Sequence, residues 1–325
     1  MPKLRRTILC ALATACCALA SSAMAQEFPP KKNITMLVGF VAGGAADTGA
    51  RIIAKKLGDN LGVSVTVDNR AGAGGNIAHQ QVANGPTDGS MILLGSVGPL
   101  SIAPNVMKLP YDPVKDLAPL TLAVSFPNVL VVHPGAGMKT FADFVSAAKR
   151  SPGKIDFAST GPGSASHLAG ELLNEMAGID TLHVPYKGGA AALQDVLAGR
   201  VTGWFATYAT AQPHIEAGKL IPLASTGTQR MSALPNVPTV AESGYPGFAA
   251  TNWYAFVTSS RVPQAVLDRW NAELVKVLQS PDVVEALNKH GLTPSPGSRD
   301  ELARFMARET AMWGRVIRER KITFQ

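Results

Sequence analysis

The chain has 325 residues, a length that suits two globular domains of ordinary size. Of these residues, 46% are hydrophobic and 16% are charged. Its 30 Lys and Arg residues outnumber its 23 Asp and Glu residues, yet no basic stripe with interleaved aromatic residues runs through it. The composition therefore argues against a nucleic-acid-binding protein.

The first 25 residues have the pattern of an export signal. Three basic residues precede the apolar run "ILCALATACCALA", which is too short to span a bilayer: Lys3, Arg5 and Arg6. The small residues "AMA" then end at Ala25, after which we predict cleavage by a signal peptidase. A lipoprotein signal at the cysteines is disfavoured, because "ATAC" lacks a large apolar residue. The expected location is the bacterial periplasm.

Cleavage at this point changes the composition of the mature chain. All three cysteines leave with the signal, and the remaining 27 Lys and Arg against 23 Asp and Glu give a net charge of +4. We therefore expect no disulfide, no thiol chemistry and no cysteine-bound metal. No later apolar run is long enough for a transmembrane helix.

Apolar runs alternate with helical patterns after the signal. Buried strands are predicted at "ITMLVGF" (34–40) and "SMILLGS" (90–96), with an alternating strand at "VSVTVDN" (63–69). Helical patterns separate them at 46–62 and 76–85. The order βαβαβ predicts a parallel sheet covered on both faces.

A second α/β unit begins near "VLVVHP" at 129–134. Further strands are predicted at 154–160, 180–186, 201–207 and 221–227. Helices are predicted between several of them, at 141–150, 164–178 and 189–199. The sequence therefore predicts an α/β protein with two such units.

The C-terminal part begins with a Pro- and Gly-rich connector at 232–248, followed by a strand at 253–260 and three helical segments. The last segment opens with "SRDE", a capping-box pattern from Ser298 to Glu301. Its apolar residues form a stripe that favours packing onto its own domain over a membrane surface: Leu302, Phe305, Met306, Met312 and Val316.

Two glycine-rich turns between a strand and a helix share one design. We name "GFVAGGAADTGAR" (39–51) the first elbow and "ASTGPGSASHLAG" (158–170) the second elbow. Glycines allow a tight turn, and the free N–H groups of the following helix face it. The positive end of the helix dipole favours an anion there. Two elbows facing each other across a cleft would suit a carboxylate.

Ser164 and His167, at the start of the helix after the second elbow, have two interpretations. A hydroxyl and an imidazole are the residue types of a nucleophile and its base. However, no acidic residue nearby in sequence orients the imidazole, and one helical turn is a poor geometry for acyl transfer. In the alternative, Ser164 caps the helix and His167 is a partly exposed first-turn residue with a local hydrogen bond, or both contact a ligand.

Other loops and motifs add less. The third loop, "VPYKGGA" (184–190), offers Tyr186 as an amphipathic wall and Lys187 as a positive charge. The glycine-rich "NRAGAGGN" (69–76) does not match the dinucleotide fingerprint. The six histidines never pair at i, i+3 or i+4, and catalytic signatures such as G-x-S-x-G are missing from the sequence. We therefore expect no metal, no cofactor and no catalytic activity.

Five stretches in order carry a resemblance that covers nearly the whole mature chain: "GFVAGGAADTGAR", "VDNRAGAGGNIA", "FASTGPGSASHLAGELL", "HVPYKGGAAALQDVLAGRV" and "LPNVPTVAESGYPGF". The chain resembles the Bug family, the exported receptors of tripartite tricarboxylate transporters. The resemblance implies a two-lobe periplasmic binding protein fold of type II that closes on a small organic carboxylate. It also implies delivery of this ligand to a membrane transporter of one large and one small subunit. We expect the receptor to be a monomer.

By position in these motifs and strand ends, the ligand-binding residues are expected to be Phe40, Gly43, Gly44, Ser96, Gly98, Thr160, Gly161, Ser164, His167, Pro185, Tyr186 and Lys187. Asp47 also belongs to the first elbow, where we expect its carboxylate to cap the helix rather than to face the ligand.

One position departs from the family. After "VTGWF" the family commonly has an aspartate and then an asparagine, whereas this chain has Ala206 and Thr207. If the acidic position faces the ligand, its loss removes a partner for an ammonium group. We therefore expect a non-amino carboxylic acid, such as a dicarboxylate or an aromatic acid.

The predicted lobes are discontinuous in sequence. Residues 26–123 and 229–325 are expected to form lobe 1, and residues 124–228 lobe 2, with hinge crossings near 122–125 and 225–229. Two alternatives to a transport receptor stay open at this point. One is a receptor that presents its ligand to a sensor kinase, and the other is a secreted serine hydrolase that uses Ser164.

Overall fold

A computed structural model describes Phe28 and residues 33–319 of the chain, and the predicted export signal lies outside those residues. The strands form one mixed sheet, whose order is β2 (Val65–Asn69), β1 (Ile34–Val38), β3 (Met91–Ser96), β9 (Thr251–Ser259), β4 (Leu117–Val132), β7 (Gly203–Thr207), β5 (Asp156–Ser159) and β6 (Leu182–Pro185). Strands β8 (Ile221–Ser225) and β10 (Thr293–Pro294) also pair with β4. Helices cover the faces of this sheet. Within the described residues, no helix is long and apolar enough to cross a membrane.

The first half of the sheet is the predicted βαβαβ unit. Strand β1 (Ile34–Val38) pairs in parallel with both β2 (Val65–Asn69) and β3 (Met91–Ser96). Helices α1 (Ala45–Leu61) and α2 (Asn76–Ala83) connect them. Most of β1 is buried, because a central parallel strand is covered by helices on both faces. The prediction for this unit is confirmed.

Strand β4 (Leu117–Val132) is much longer than the sequence pattern indicated. It pairs antiparallel with β9 (Thr251–Ser259) as far as Pro127, then with β7 from Asn128 and with β8 from Val129. The sequence predicted a strand only from residue 129, because prolines interrupt the preceding stretch. Register shifts in the β4–β9 ladder after Pro119 and Leu122 accommodate the irregular pairing. One continuous strand therefore belongs to both halves of the molecule.

The second half contains another parallel ladder, formed by β5 (Asp156–Ser159), β6 (Leu182–Pro185) and β7 (Gly203–Thr207). Strand β8 (Ile221–Ser225) joins it through β4. The predicted helices are present as α3 (Phe141–Arg150), α4 (Ala165–Ala177) and α5 (Gly189–Leu197).

Helix α6 (Tyr208–Glu216) begins directly after β7 and was missed by the sequence analysis. Its sequence "YATAQPHIE" carries Pro213 within the helix and few large apolar residues, so neither propensity nor periodicity identifies it. Its position matters because its first turn lies at the end of a buried strand.

The C-terminal part packs back onto the first half of the sheet. It consists of α7 (Gln264–Leu278), α8 (Pro281–Lys289), β10 (Thr293–Pro294) and α9 (Arg299–Glu319). The predicted capping box at the start of α9 is confirmed: Ser298 N–H donates to Glu301 Oε2 at 2.7 Å, and Glu301 N–H donates to Ser298 Oγ at 3.2 Å. Packing of the predicted stripe is also confirmed, since Leu302 and Met306 are buried.

The architecture is that of two α/β lobes joined by shared strands. One lobe holds β1, β2 and β3 with the C-terminal helices, and the other holds β5 to β8 with α3 to α6. Strand β4 and the segment from β8 to β9 connect them. The residue boundaries that the sequence analysis assigned to the lobes stay a prediction.

Candidate functional site

A narrow cavity lies where the two lobes meet, at the ends of several strands. Its volume is about 20 Å³, room for one or two water molecules. Both lobes contribute to its walls, which are formed by Phe40, Gly44, Ala45, Ala46, Ser96, Val97, Gly98, Asn128, Thr160, Ser164, Ala165, Ser166, Gly189, Thr207, Thr210, Asn252 and Tyr254.

Four helix N-termini meet at this cavity. Helices α1, α4, α5 and α6 begin at Ala45, Ala165, Gly189 and Tyr208, and a residue in the first turn of each lines the wall. A helix N-terminus carries a partial positive charge and N–H groups that have no partner within the helix. Among the residues described, the cavity lining carries no Asp, Glu, Lys, Arg or His side chain. The electrostatic character of the site therefore comes from backbone dipoles, which favour an anion.

The first elbow is clamped by a carboxylate that faces away from the cavity. Asp47 Oδ2 accepts a hydrogen bond from Gly43 N–H at 3.0 Å, and Asp47 Oδ1 lies 2.9 Å from the Arg51 guanidinium. Burial acts to raise the pKa of Asp47, but its hydrogen bonds to Arg51 and Gly43 lower the pKa below its ordinary value. Asp47 is thus ionised and paired within the first elbow, and its role as a helix cap stays a prediction.

The second elbow presents a chain of hydroxyl groups. Ser164 is the N-cap of α4, and its Oγ accepts from His167 N–H at 3.3 Å. The same Oγ lies 3.1 Å from Ser166 Oγ, which in turn accepts from Thr160 N–H at 2.9 Å. Ser164 and Thr160 were expected at the site, whereas Ser166 was not. Together they offer rotatable O–H donors to an anion.

His167 supports the second elbow from behind rather than lining the cavity. Its Nδ1 accepts from Gly163 N–H at 3.1 Å, and its Nε2 lies 3.6 Å from Glu171 Oε1. The ring is buried, with only 3% of its surface exposed, and stacks on His183 at a centroid distance of 3.7 Å. The expectation of a partly exposed His167 was wrong, because His183 from the neighbouring strand covers the ring. The imidazole therefore positions the Gly163 backbone.

This arrangement does not make Ser164 a nucleophile. The Ser164 hydroxyl bonds to the backbone N–H of His167, while the ring nitrogen that could act as a base is occupied by Gly163. His183 stacks against the His167 ring, and its pKa is lowered to about 3 by burial and by electrostatic repulsion from His167. The pair is thus a packed element that orients the elbow, and the geometry disfavours the hydrolase alternative.

The third loop approaches the first elbow through its backbone. Val41 N–H donates to the carbonyl oxygen of Lys187 at 3.3 Å, which links the two lobes. Tyr186 Oη donates to Asp195 Oδ2 at 2.7 Å, away from the cavity. Burial and this contact with Asp195 raise the pKa of Tyr186 to about 12. Of this loop, Gly189 lines the cavity, whereas Pro185, Tyr186 and Lys187 do not.

The expected site residues thus fall into two groups. Those in the cavity wall are Phe40, Gly44, Ser96, Gly98, Thr160 and Ser164. Those in the surrounding elbows but outside the wall are Gly43, Gly161, His167, Pro185, Tyr186 and Lys187.

The sequence analysis missed the wall opposite the elbows. It is formed by Asn128 and Asn252, from the strands β4 and β9 that join the lobes, and by Thr207, Thr210 and Tyr254. Asn128 and Thr207 are direct partners in the β4–β7 ladder. The available signal was a polar residue within an otherwise apolar strand, as in "FPNVLVV" and "TNWYAF".

Fold and site together define a class: a two-lobe binding protein whose uncharged interlobe cavity is built from helix N-termini. The family model described as "Tripartite tricarboxylate transporter family receptor" matches residues 49–322, and the chain belongs to this family of periplasmic solute-binding receptors. The resemblance to the Bug family is confirmed.

Two curated relatives are similar to this chain over most of the length of both proteins. The chain is 37% identical over 319 residues to the "UPF0065 protein in tcbD-tcbE intergenic region" of Pseudomonas sp. (strain P51), covering 98% of this chain and 95% of the relative. It is 36% identical over 292 residues to "Protein BugT" of Bordetella pertussis, covering 89% and 90%.

Solved structures have the same fold. The periplasmic binding protein BugD matches with a TM-score of 0.87 and 31% identity, over 91% of this chain and 100% of that one. The protein Rpa4515 of R. palustris, solved with adipate, matches with a TM-score of 0.88 and 32% identity, over 91% and 99%. MatC of Rhodopseudomonas palustris, with bound malate, matches with a TM-score of 0.84 and 29% identity, over 89% and 99%.

Proposed function

We propose that this protein is a periplasmic receptor that captures a small organic carboxylate between its lobes and delivers it to a tripartite tricarboxylate transporter. The observation that carries the proposal is the convergence of four helix N-termini on a cavity whose described lining has no Asp, Glu, Lys, Arg or His side chain. An N-terminus stabilises an anion by about 0.3–1 kcal/mol, and by up to about 2 kcal/mol when partly buried. Four of them can replace a basic side chain.

The ligand class follows from the same wall. Backbone N–H groups and hydroxyls can bind any small carboxylate, so the relatives solved with malate and with adipate support this class without selecting one member. The family position after "VTGWF" that is commonly acidic is Ala206 here, and its neighbour Thr207 lines the cavity. A ligand without an ammonium group fits such a wall, since nothing in it offers a negative charge.

Capture requires the lobes to move, because the cavity holds only one or two waters and a dicarboxylate is larger. We propose that the lobes separate and close about β4 and the segment from β8 to β9, near the predicted crossings at 122–125 and 225–229. The third loop and the first elbow meet in the closed form through Val41 and Lys187. Closure then surrounds the ligand with donors from both lobes.

The remaining expectations complete the proposal. The export signal is cleaved after Ala25, and the mature protein acts in the periplasm as a monomer without catalysis. Its partners are the large and small membrane subunits of the transporter. Crosslinking of the liganded protein in cell envelopes distinguishes these subunits from a sensor kinase.

The proposal is tested by native mass spectrometry of the protein purified from periplasm, followed by denaturation and identification of any released small molecule. We expect a carboxylic acid in a 1:1 complex, since a ligand held between closed lobes dissociates slowly. A cationic or uncharged ligand in its place would contradict the proposal.

A further inference from the structure

Two asparagines meet at the base of the cavity, on the strands that join the lobes. Asn252 Nδ2 donates to Asn128 Oδ1 at 3.4 Å. Asn128 is only 1% exposed and Asn252 only 9% exposed. Both line the cavity, yet Asn128 Nδ2 has no hydrogen-bond partner among the described residues. A buried amide donor without a partner is costly, so this group calls for an explanation.

The orientation of both amides is determined by the backbone. Trp253 N–H can only donate, and it lies 2.9 Å from the side-chain oxygen of Asn252, so that oxygen must face Trp253. This leaves the Asn252 NH₂ group to donate to Asn128, which therefore presents its own oxygen to Asn252. The remaining group of Asn128 is its NH₂, a pure donor. A flipped amide at either residue would place two donors or two acceptors together.

The position of Asn128 does not depend on its side chain. Asn128 N–H donates to Thr226 Oγ1 at 2.9 Å, and Thr226 N–H donates to the Asn128 carbonyl oxygen at 2.9 Å. These contacts hold the backbone at the point where β4 passes from one lobe to the other. The side-chain NH₂ is therefore available for a ligand and is fixed in direction.

We propose that Asn128 determines specificity by donating from Nδ2 to an acceptor oxygen of the bound ligand, and so excludes ligands that place an ammonium group there. This inference rests on the proposed function and assigns one residue of that site. An acceptor can be a carboxylate, carbonyl or hydroxyl oxygen, whereas an ammonium group only donates and would face the NH₂ group. Ser96 and Thr210 flank the cavity with buried hydroxyls, which can donate or accept and so do not discriminate.

The test uses pairs of probes that differ in one group. Succinate, glutarate and adipate are compared by titration calorimetry with 3-aminopropanoate, 4-aminobutanoate and 5-aminopentanoate, and malate with aspartate. The anion identified by mass spectrometry is added with its amino counterpart. The variants are Asn128→Asp, which replaces the NH₂ group by an oxygen, and Asn128→Ala. Asn84→Asp is the matched control, because it makes the same change at an exposed residue outside the cavity.

We expect the wild type and Asn84→Asp to prefer the member without an ammonium group by about tenfold or more, since buried polar groups left unpaired discriminate strongly. In Asn128→Asp this preference falls by at least about tenfold or reverses. In Asn128→Ala it falls because affinity for the carboxylate is lost. If Asn128→Asp does not fold, Asn128→Ala decides alone.

The inference is overturned if folded Asn128 variants keep the wild-type preference, and the proposed function then still stands because the wild type binds carboxylates. If the wild type binds no organic anion from the panel or from the cell, the proposed function itself is contradicted. The role proposed for Asn128 is then contradicted as well.

Discussion

The backbone of Gly98, at the end of β3, lies so close to Gly163 in the second elbow that a Cβ atom on Gly98 would be 2.8 Å from the Gly163 carbonyl oxygen. Such a distance is shorter than real Cβ contacts allow, and the atom it meets is backbone that cannot rotate away. The two residues belong to different lobes. The absence of a side chain at Gly98 is therefore what lets the lobes meet over the cavity.

Gly98→Ala is predicted to weaken ligand binding by about tenfold or more, because the added methyl group keeps the closed lobes apart. Gly44→Ala is the matched comparison. Its Cβ would be 3.7 Å or more from the nearest atoms, an ordinary contact, so it should lose less affinity. Calorimetric titration with the identified carboxylate measures both. Equal affinity of Gly98→Ala and wild type would contradict a closure that brings Gly98 against Gly163.

Ser164→Ala should lower both the free energy of unfolding and the affinity for the ligand. Loss of an N-cap hydroxyl costs about 1 kcal/mol, and here the hydroxyl also lines the cavity. Thr140→Ala is the control, because Thr140 caps α3 at an exposed position outside the cavity wall. Urea unfolding and ligand titration should show that Thr140→Ala loses stability alone. Ester hydrolysis by the wild type that disappears in Ser164→Ala would instead favour a hydrolase.

Lys187→Ala should retain ligand affinity within about threefold. Its carbonyl oxygen accepts from Val41 N–H, and alanine keeps this contact, while the side chain lies outside the cavity wall. The charge of this exposed side chain is screened by water and salt. Titration at low and at physiological salt measures this. A loss of tenfold or more at low salt would show that the ammonium group itself holds the ligand.

Stability is predicted to fall in mild acid. Burial lowers the pKa of His79 to about 4, although the hydrogen bond to the Gly75 carbonyl acts to raise it. The unfolded chain takes up this proton near the ordinary pKa of 6.5, so the unfolded state binds more protons between pH 6.5 and 4. His79 therefore leaves the free energy of unfolding unchanged above pH 6.5. As the pH falls from there to about 4, His79 lowers the free energy of unfolding by up to about 1.4 kcal/mol per pH unit.

Urea unfolding at several pH values between 7.5 and 4.5 tests this expectation. His79→Gln should be less stable than the wild type at neutral pH, because it disturbs a buried site, but its stability should fall less steeply with acid. An equal slope for the two proteins would show that His79 does not titrate in this range.

Local patterns predicted most of the fold. Buried strands such as β1 and amphipathic helices such as α4 are encoded in contiguous residues, and so are the two elbows, because a turn and the helix start after it are neighbours in sequence. The same reasoning found Ser164, since a serine before a helical stripe is a cap signal.

The rest depends on pairing between distant segments. Asn128 enters the site because β4 continues from one lobe into the other and pairs with Thr207, 79 residues later by number. Asn252 reaches the cavity on β9, and its contact with Asn128 spans 124 residues. His167 was expected to be partly exposed because the covering His183 comes from another strand. Contacts of this kind leave no periodic signal in one segment.

The central claim is that a cavity of helix N-termini, with no Asp, Glu, Lys, Arg or His side chain in its described lining, binds a small organic carboxylate. Thermal unfolding of the wild type with a panel of carboxylates, and with uncharged amide analogues of the same size, tests it most directly. We predict that at least one carboxylate raises the unfolding temperature in a concentration-dependent way. At 100 times its Kd, the ligand should raise the free energy of unfolding by about 2.7 kcal/mol. Stabilisation by the amides and by none of the carboxylates would contradict the account.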